Sequence, residues 1–436
     1  PDADLPFTAE LSPGNFHLSW AFDSDQIVLE ARVRTRGWVG LGLSSTGTMA
    51  GSDVVVGWVD SAAATHLVDA HIEGERSLVR DTSQDYKLVR LSENGTHTVM
   101  RVVRALRTCD ANDRDITENT MRLIWASEDN DPKSEAQITY HGPMDRGTKS
   151  LQLLSSRPRS QPELPQDRST FDIVQDKCAI PPDSTFYACK IFSLPNLSKK
   201  HHLVEVEPII DPGSEALVHH MVVYMCPDTV NASHVGVTHQ CYLAQLPDSF
   251  STCTSVLAAW AIGGGTFEYP PAAGYSLGVP GDPRFVLLEI HYNNPNRSTA
   301  AGIEDSSGLR FHYTAQLRRF DAGHLMAGII VSPFHFIPPN TDSFLNLYHC
   351  PSACGNNRWG CYTGQRVRFF SSFVLSHFIG GAIFFTPFEN GTQIGDVGRE
   401  QDYDFKFQET RHLKKLVTVL PGDKIVVECV YRTTNR

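Results

Sequence analysis

The run Val218-His219-His220-Met221-Val222-Val223-Tyr224-Met225-Cys226 decides how this chain is read. Its apolar, β-branched residues belong on a strand, and two adjacent imidazoles sit inside it. Successive side chains of a regular strand point to opposite faces, so an adjacent pair there does not bind one ion. A distortion or a strand end can turn both rings towards a common point. A second strand-like run, Leu288-Glu289-Ile290-His291-Tyr292, carries a single histidine that could complete a set of three. Three neutral imidazoles without a carboxylate suit copper or zinc rather than calcium or magnesium. On residue type alone, such a pair is more simply packed or surface histidine.

Similar short runs fill the rest of the chain. Phe16-His17-Leu18-Ser19-Trp20, Gln26-Ile27-Val28-Leu29-Glu30-Ala31-Arg32-Val33 and Asp53-Val54-Val55-Val56-Gly57-Trp58-Val59 read as strands at sandwich spacing. Pro and Gly breaks alternate with β-branched runs further on, and helical periodicity is scarce, so the expected class is all-β. A chain of 436 residues is too long for one ordinary core, which predicts two or three domains. The Pro- and Ser-rich stretch Ser155-Ser156-Arg157-Pro158-Arg159-Ser160-Gln161-Pro162 marks a linker. The expected boundaries are a first domain over 1–155, a linker over 156–170, and further domains over 171–315 and 316–436. Gly263-Gly264-Gly265 lacks the Lys-Ser/Thr of a phosphate loop and reads as a tight turn.

A net charge of -11 argues against nucleic acid or an anionic membrane as the main partner. No window approaches 18 consecutive apolar residues, so no transmembrane helix is expected. The chain opens at Pro1 without a signal peptide and reads as a mature form. Ten cysteines accompany five Asn-x-Ser/Thr sequons, at Asn94, Asn196, Asn231, Asn296 and Asn390. Together they favour a secreted or vesicle-lumenal glycoprotein over a cytosolic protein with free thiols. Cys350, Cys354 and Cys361 crowd together, and in that compartment disulfides are preferred to zinc.

Glu215-Ala216-Leu217-Val218-His219-His220-Met221, then Cys226, then Glu289-Ile290-His291-Tyr292-Asn293-Asn294-Pro295 resemble the copper type II, ascorbate-dependent monooxygenases. The dopamine β-hydroxylase-like and monooxygenase-X-like branch is the most similar. Val256-Leu257-Ala258-Ala259-Trp260-Ala261, Asp305-Ser306-Ser307-Gly308-Leu309-Arg310, Leu317-Arg318-Arg319-Phe320-Asp321-Ala322-Gly323 and Leu420-Pro421-Gly422-Asp423 fit the same pattern. Gly37-Trp38-Val39-Gly40-Leu41-Gly42-Leu43-Ser44 and Met49-Ala50-Gly51-Ser52-Asp53 are similar to the DOMON domain. The resemblance implies a DOMON β-sandwich followed by two antiparallel, jelly-roll-like copper domains. It also implies disulfides Cys189–Cys241 and Cys226–Cys253; the partners of Cys109, Cys178, Cys350, Cys354, Cys361 and Cys429 stay open.

In the family, a small amine or similar substrate is hydroxylated with dioxygen and ascorbate by two coppers. The resemblance places the first copper on His219, His220 and His291, and leaves His201 and His202 as surface or supporting residues. The second copper takes a His-x-His and a Met. Here the His-x-His falls on Leu375-Ser376-His377, so His377 remains and a leucine that cannot ligate copper replaces its partner. No Met follows Met326 in this sequence. These departures make a family member with a degraded second site the expectation, with a non-catalytic glycoprotein that binds a ligand or partner as the alternative. Homo-oligomerisation stays open. In the first domain the resemblance implies a structural cation, calcium or another hard ion, on Asp53, Asp85 and the carbonyls of Val54 and Ala70. Some DOMON domains hold haem; Met49 and His141 are the residues it would need, and packing is the expected role of both.

Overall fold

The computed structural model describes residues 5–45, 47–74, 77–142, 145–154, 167–215, 217–262, 264–294, 303–328, 336–350, 367–372, 380–389, 391–401, 403, 410–420 and 422–434. Strands dominate, and the one α-helix among the described residues is the single turn Asp248–Ser251. The chain divides into two compact units, residues 1–161 with 400–402, and residues 162–399 with 403–436.

The first unit is a sandwich of two antiparallel sheets. One orders its strands Phe7–Ser12, Phe16–Phe22, Gln26–Val33, Thr98–Ala105, Lys87–Glu93. The other runs Arg146–Leu151, Met121–Ser127, Val39–Ser44, Asp53–Val59, Thr65–Glu73, Ser77–Arg80. Alternation drives the packing: Ile27, Leu29, Ala31 and Val33 point inward from one strand and meet Leu41, Leu43 and Val55 of the facing sheet. The second sheet also buries its other face, where Trp38, Val54, Val56, Trp58 and Val68 cluster.

In the second unit, two sheets enclose a second core. One orders Ser169–Val174, Gly308–Thr314, His201–Ile209, Ala273–Leu277, Phe320–Ala322, and the last of these strands runs parallel to its neighbour. The other orders Thr238–Gln240, Thr185–Ser193, Phe285–Asn293, Val218–Cys226, Ser255–Ala261. Val286, Leu288, Ile290 and Tyr292 alternate into the core between these sheets. Leu287 points the other way, into a smaller cluster with Cys189, Cys226, Cys241 and Cys253. Cys189–Cys241 and Cys226–Cys253 are disulfide-bonded, and they pin the excursion 227–254 over that outer face. Cys109, Cys178, Cys350 and Cys429 are free thiols.

Beyond residue 340, Phe344–Cys350, Lys424–Tyr431, Gly380–Glu389 and Thr392–Gln393 form a further sheet, and Val367–Ser372 pairs with Arg411–Val419. Most of the linker expected over 156–170, together with Cys354, Cys361, Leu375, His377, Asn296 and Asn390, lies outside the described residues.

Candidate metal centres

Val218 and Met221 both lie in the core between the two sheets of the second unit. Their separation is odd, which an unbroken pleat forbids. Pairing with the neighbouring strand shows the break: Val218 faces Tyr292 and His220 faces His291, which leaves His219 as the extra residue of a β-bulge. The bulge delivers both imidazoles to the outer face. His220 is directly opposite His291, and directly opposed residues of antiparallel strands share a face.

The three rings close on one another. Ring centres of His219 and His220 lie 5.1 and 4.8 Å from that of His291. His219 Nδ1 and His220 Nδ1 are 3.2 Å apart. Two nitrogens that share one tetrahedral ion at about 2.0 Å sit roughly 3.3 Å apart, so this spacing fits a metal. One nitrogen from each of the three lies within 4.8 Å of the others. All are buried, at 3, 2 and 0% exposure. Thr185 Oγ1 lies 2.9 Å from His291 Nε2 and holds the ring in place. Tyr187, the cross-strand neighbour of His291, stacks on its ring at 4.3 Å and 3°. Neutral imidazoles suit copper or zinc.

Glu289 lies two residues before His291, on the same face of its strand, and accepts a hydrogen bond of 2.6 Å from the Tyr242 hydroxyl. Burial raises the Glu289 pKa above the ordinary carboxylate range and pushes the Tyr187 phenol up to about 12. Cys189 and Cys241 approach Glu289 closely, but their disulfide removes both as ligands. His202 stands apart on the facing sheet: its Nδ1 accepts from the Arg318 N–H at 2.9 Å, and its Nε2 donates to Asp321 at 2.8 Å.

The first unit carries a second cluster. Asp53 and Asp69 point between the sheets, since Val55, opposite Asp69, belongs to the core. With Asp113 they bring carboxylate oxygens within 4.8 Å of one another. Asp53 Oδ1, Asp69 Oδ1, Asp81 Oδ2, Asp85 Oδ2 and Asp113 Oδ1 are buried oxygens without a hydrogen-bond partner. Arg104 answers part of this charge, with bonds of 2.8 Å to Asp53 and 3.4 Å to Asp113, and His71 bonds to Asp81. Burial still pushes Asp53 up to about 7 and Asp69 up to about 6. Of the residues the sequence offers for a cation, Asp53 belongs to this cluster. Asp85 adjoins it through its backbone N–H, which donates to Asp69 at 2.6 Å, and Val54 and Ala70 pair across the strands beside it. Asp69 and Asp113 are additions; the Asp/Asn-rich run Asp110-Ala111-Asn112-Asp113 was the available signal.

Met49 packs with Trp38 and Val54, and His141 Nδ1 hydrogen-bonds the Gly142 carbonyl at 2.7 Å. Asn94, Asn196 and Asn231 are exposed, and Asn231 Oδ1 accepts from the Ser233 N–H at 3.0 Å. No helix among the described residues is long and apolar enough to cross a membrane.

Family models match in succession. The DOMON domain covers 12–128, the N-terminal domain of the copper type II ascorbate-dependent monooxygenases covers 171–299, and the C-terminal domain of the same enzymes covers 320–436. DBH-like monooxygenase protein 1 of Mus musculus is 42% identical over 441 residues, across 100% of this chain and 70% of its own length. Dopamine beta-hydroxylase of Homo sapiens is 33% identical, again across 100% of this chain and 70% of its own length. Among solved structures, the cytochrome b domain of pyranose dehydrogenase from Coprinopsis cinerea covers 31% of this chain and 75% of its own at 16% identity. Its TM-score of 0.27 is too low to argue for a shared ligand.

Proposed function

The chain belongs to the copper type II ascorbate-dependent monooxygenase family, and we propose that it is a secreted glycoprotein member that keeps one copper site and has lost the second. The observation that carries this reading is the bulge at His219, which gathers three buried imidazoles at metal-ligand spacing. His219, His220 and His291 would hold the ion, Thr185 would fix the His291 ring, and Tyr187 would cover it. Copper in such a site supplies one-electron storage and release.

Two-copper hydroxylation of a small amine, with dioxygen and ascorbate, is the ancestral chemistry in this reading. Leu375 stands where the second copper's first histidine would be, and a hydrocarbon side chain offers no lone pair. Oxygenase turnover is therefore not expected from this chain, and the fold serves to bind a ligand or partner. The test is copper per chain after loading with excess copper and dialysis. One copper, lost when His291 is substituted, is expected. Two would restore the hydroxylase reading, and none would overturn the site.

In the first unit, the orphaned oxygens of Asp53, Asp69 and Asp113 support a structural hard cation, calcium by preference, with Asp85 and the carbonyls of Val54 and Ala70 at hand. Carboxylate oxygens suit calcium, and the ion would offset the burial that raises these groups.

A further inference from the structure

Tyr242 combines three properties that seldom coincide. Its side chain is large and apolar, yet it is 72% exposed. Its backbone is left-handed, at φ 62°, a conformation unfavourable for a bulky residue that a bare turn would meet with glycine or asparagine. Its hydroxyl nevertheless reaches inward to the buried carboxyl of Glu289. The Cys189–Cys241 disulfide fixes the preceding residue, so the ring is aimed rather than loose.

The ring leads somewhere. Its edge meets Tyr187 at 5.5 Å and 81°, and Tyr187 stacks face to face on His291 at 4.3 Å. Two ring contacts therefore join an exposed aromatic surface to a nitrogen ligand of the three-histidine cluster. The ligands themselves are buried, so a reductant in solvent cannot touch them. Electron tunnelling falls off steeply with the gap crossed, and contiguous rings shorten that gap.

We propose that Tyr242 is the electron-entry point of the metal site, where a small enediol reductant such as ascorbate lies against the exposed ring and passes one electron through Tyr187 to His291. This rests on the copper reading above. The reductant loses one electron and a proton to become its radical, the proton goes to solvent, and cupric ion becomes cuprous. Both tyrosines end unchanged. The Glu289 bond holds the phenol in register with Tyr187, which makes Glu289 a positioning residue.

The experiment uses the full copper-loaded chain without oxygen. Ascorbate is mixed in, and loss of the cupric electron paramagnetic resonance signal is followed by rapid freezing. Tyr242→Ala should slow reduction at least tenfold, with copper content and resting spectrum unchanged. Tyr242→Phe, which keeps the ring but loses the Glu289 bond that aims it, should be reduced faster than Tyr242→Ala and more slowly than wild type. A Tyr242→Ala protein reduced at the wild-type rate overturns the relay. So does a slowed variant whose resting spectrum has changed, because the ring would then only shape the site. Wild-type protein that holds no copper, measured before any reductant is added, overturns the copper reading and the relay with it.

Discussion

Val218 and Met221, three residues apart on one strand, face the same core, and the two histidines between them face away from it. A strand's parity is set by its pleat, so this placement needs one surplus residue, His219. The three-histidine cluster is a property of the backbone register as much as of the three side chains.

Each imidazole then matters separately. Alanine at His219, His220 or His291 should weaken copper binding by at least about a hundredfold, and Thr185→Val by roughly tenfold or more through loss of the His291 contact. Competition titration against a chelator of known affinity gives both numbers. Wild-type affinity in His291→Ala would show that copper is held elsewhere.

Arg104 is a buried cation between buried anions, fully enclosed along with Asp53. Removing one partner of such a group leaves charge without an answer, so Arg104→Gln should destabilise the first unit by about 3–5 kcal/mol. Urea unfolding would read this. A change below about 1 kcal/mol, in protein cleared of the proposed structural cation, would mean that the carboxylates are already neutral.

Calcium removal tests that cation. A ligand that binds only the folded state raises the melting temperature, so chelation should lower it and millimolar calcium should restore it. Asp53→Asn and Asp69→Asn should abolish the response. Calorimetry showing equal melting with and without calcium, in wild-type protein cleared of bound metal, rules the site out.

Asp321 offers a test by pH. Lys200 and His202 hydrogen-bond its carboxylate and lower its pKa below the ordinary 3.8. A depressed folded pKa contributes stability that is present above the unfolded value and lost as pH falls through the folded one. Carbon-detected NMR of the Asp321 carboxyl should show a midpoint below 3.8, and Lys200→Met should raise it. A midpoint at or above 3.8 in the native protein contradicts the arrangement.

The all-β class was legible because strand periodicity is local and appears in most of the runs. The three-histidine cluster was proposed as a copper site through resemblance alone: strand parity argues against an adjacent His pair, and the bulge that overrules parity shows only in the pairing with 285–293. Asp69 and Asp113 escaped notice because the cluster draws on separate strands and loops, which only the closing of the sandwich brings together. Nothing in the sequence singles out Tyr242, which follows Cys241. Its significance comes from a backbone conformation and a stacking partner 55 positions away, and neither is written in local sequence.

The two disulfides of the second unit give the site a chemical address. Cys226 ends the strand that carries the histidine pair, and Cys189 sits beside Glu289 in the next row of the sheet. In a thiol-rich compartment both bonds would open and the excursion 227–254 would come unpinned. Reduction would free Cys241 from Cys189, and Tyr242, the next residue, would lose the anchor beside its Glu289 contact. On the relay proposed above, electron entry through Tyr242 would then depend on the redox state of the compartment that holds the protein.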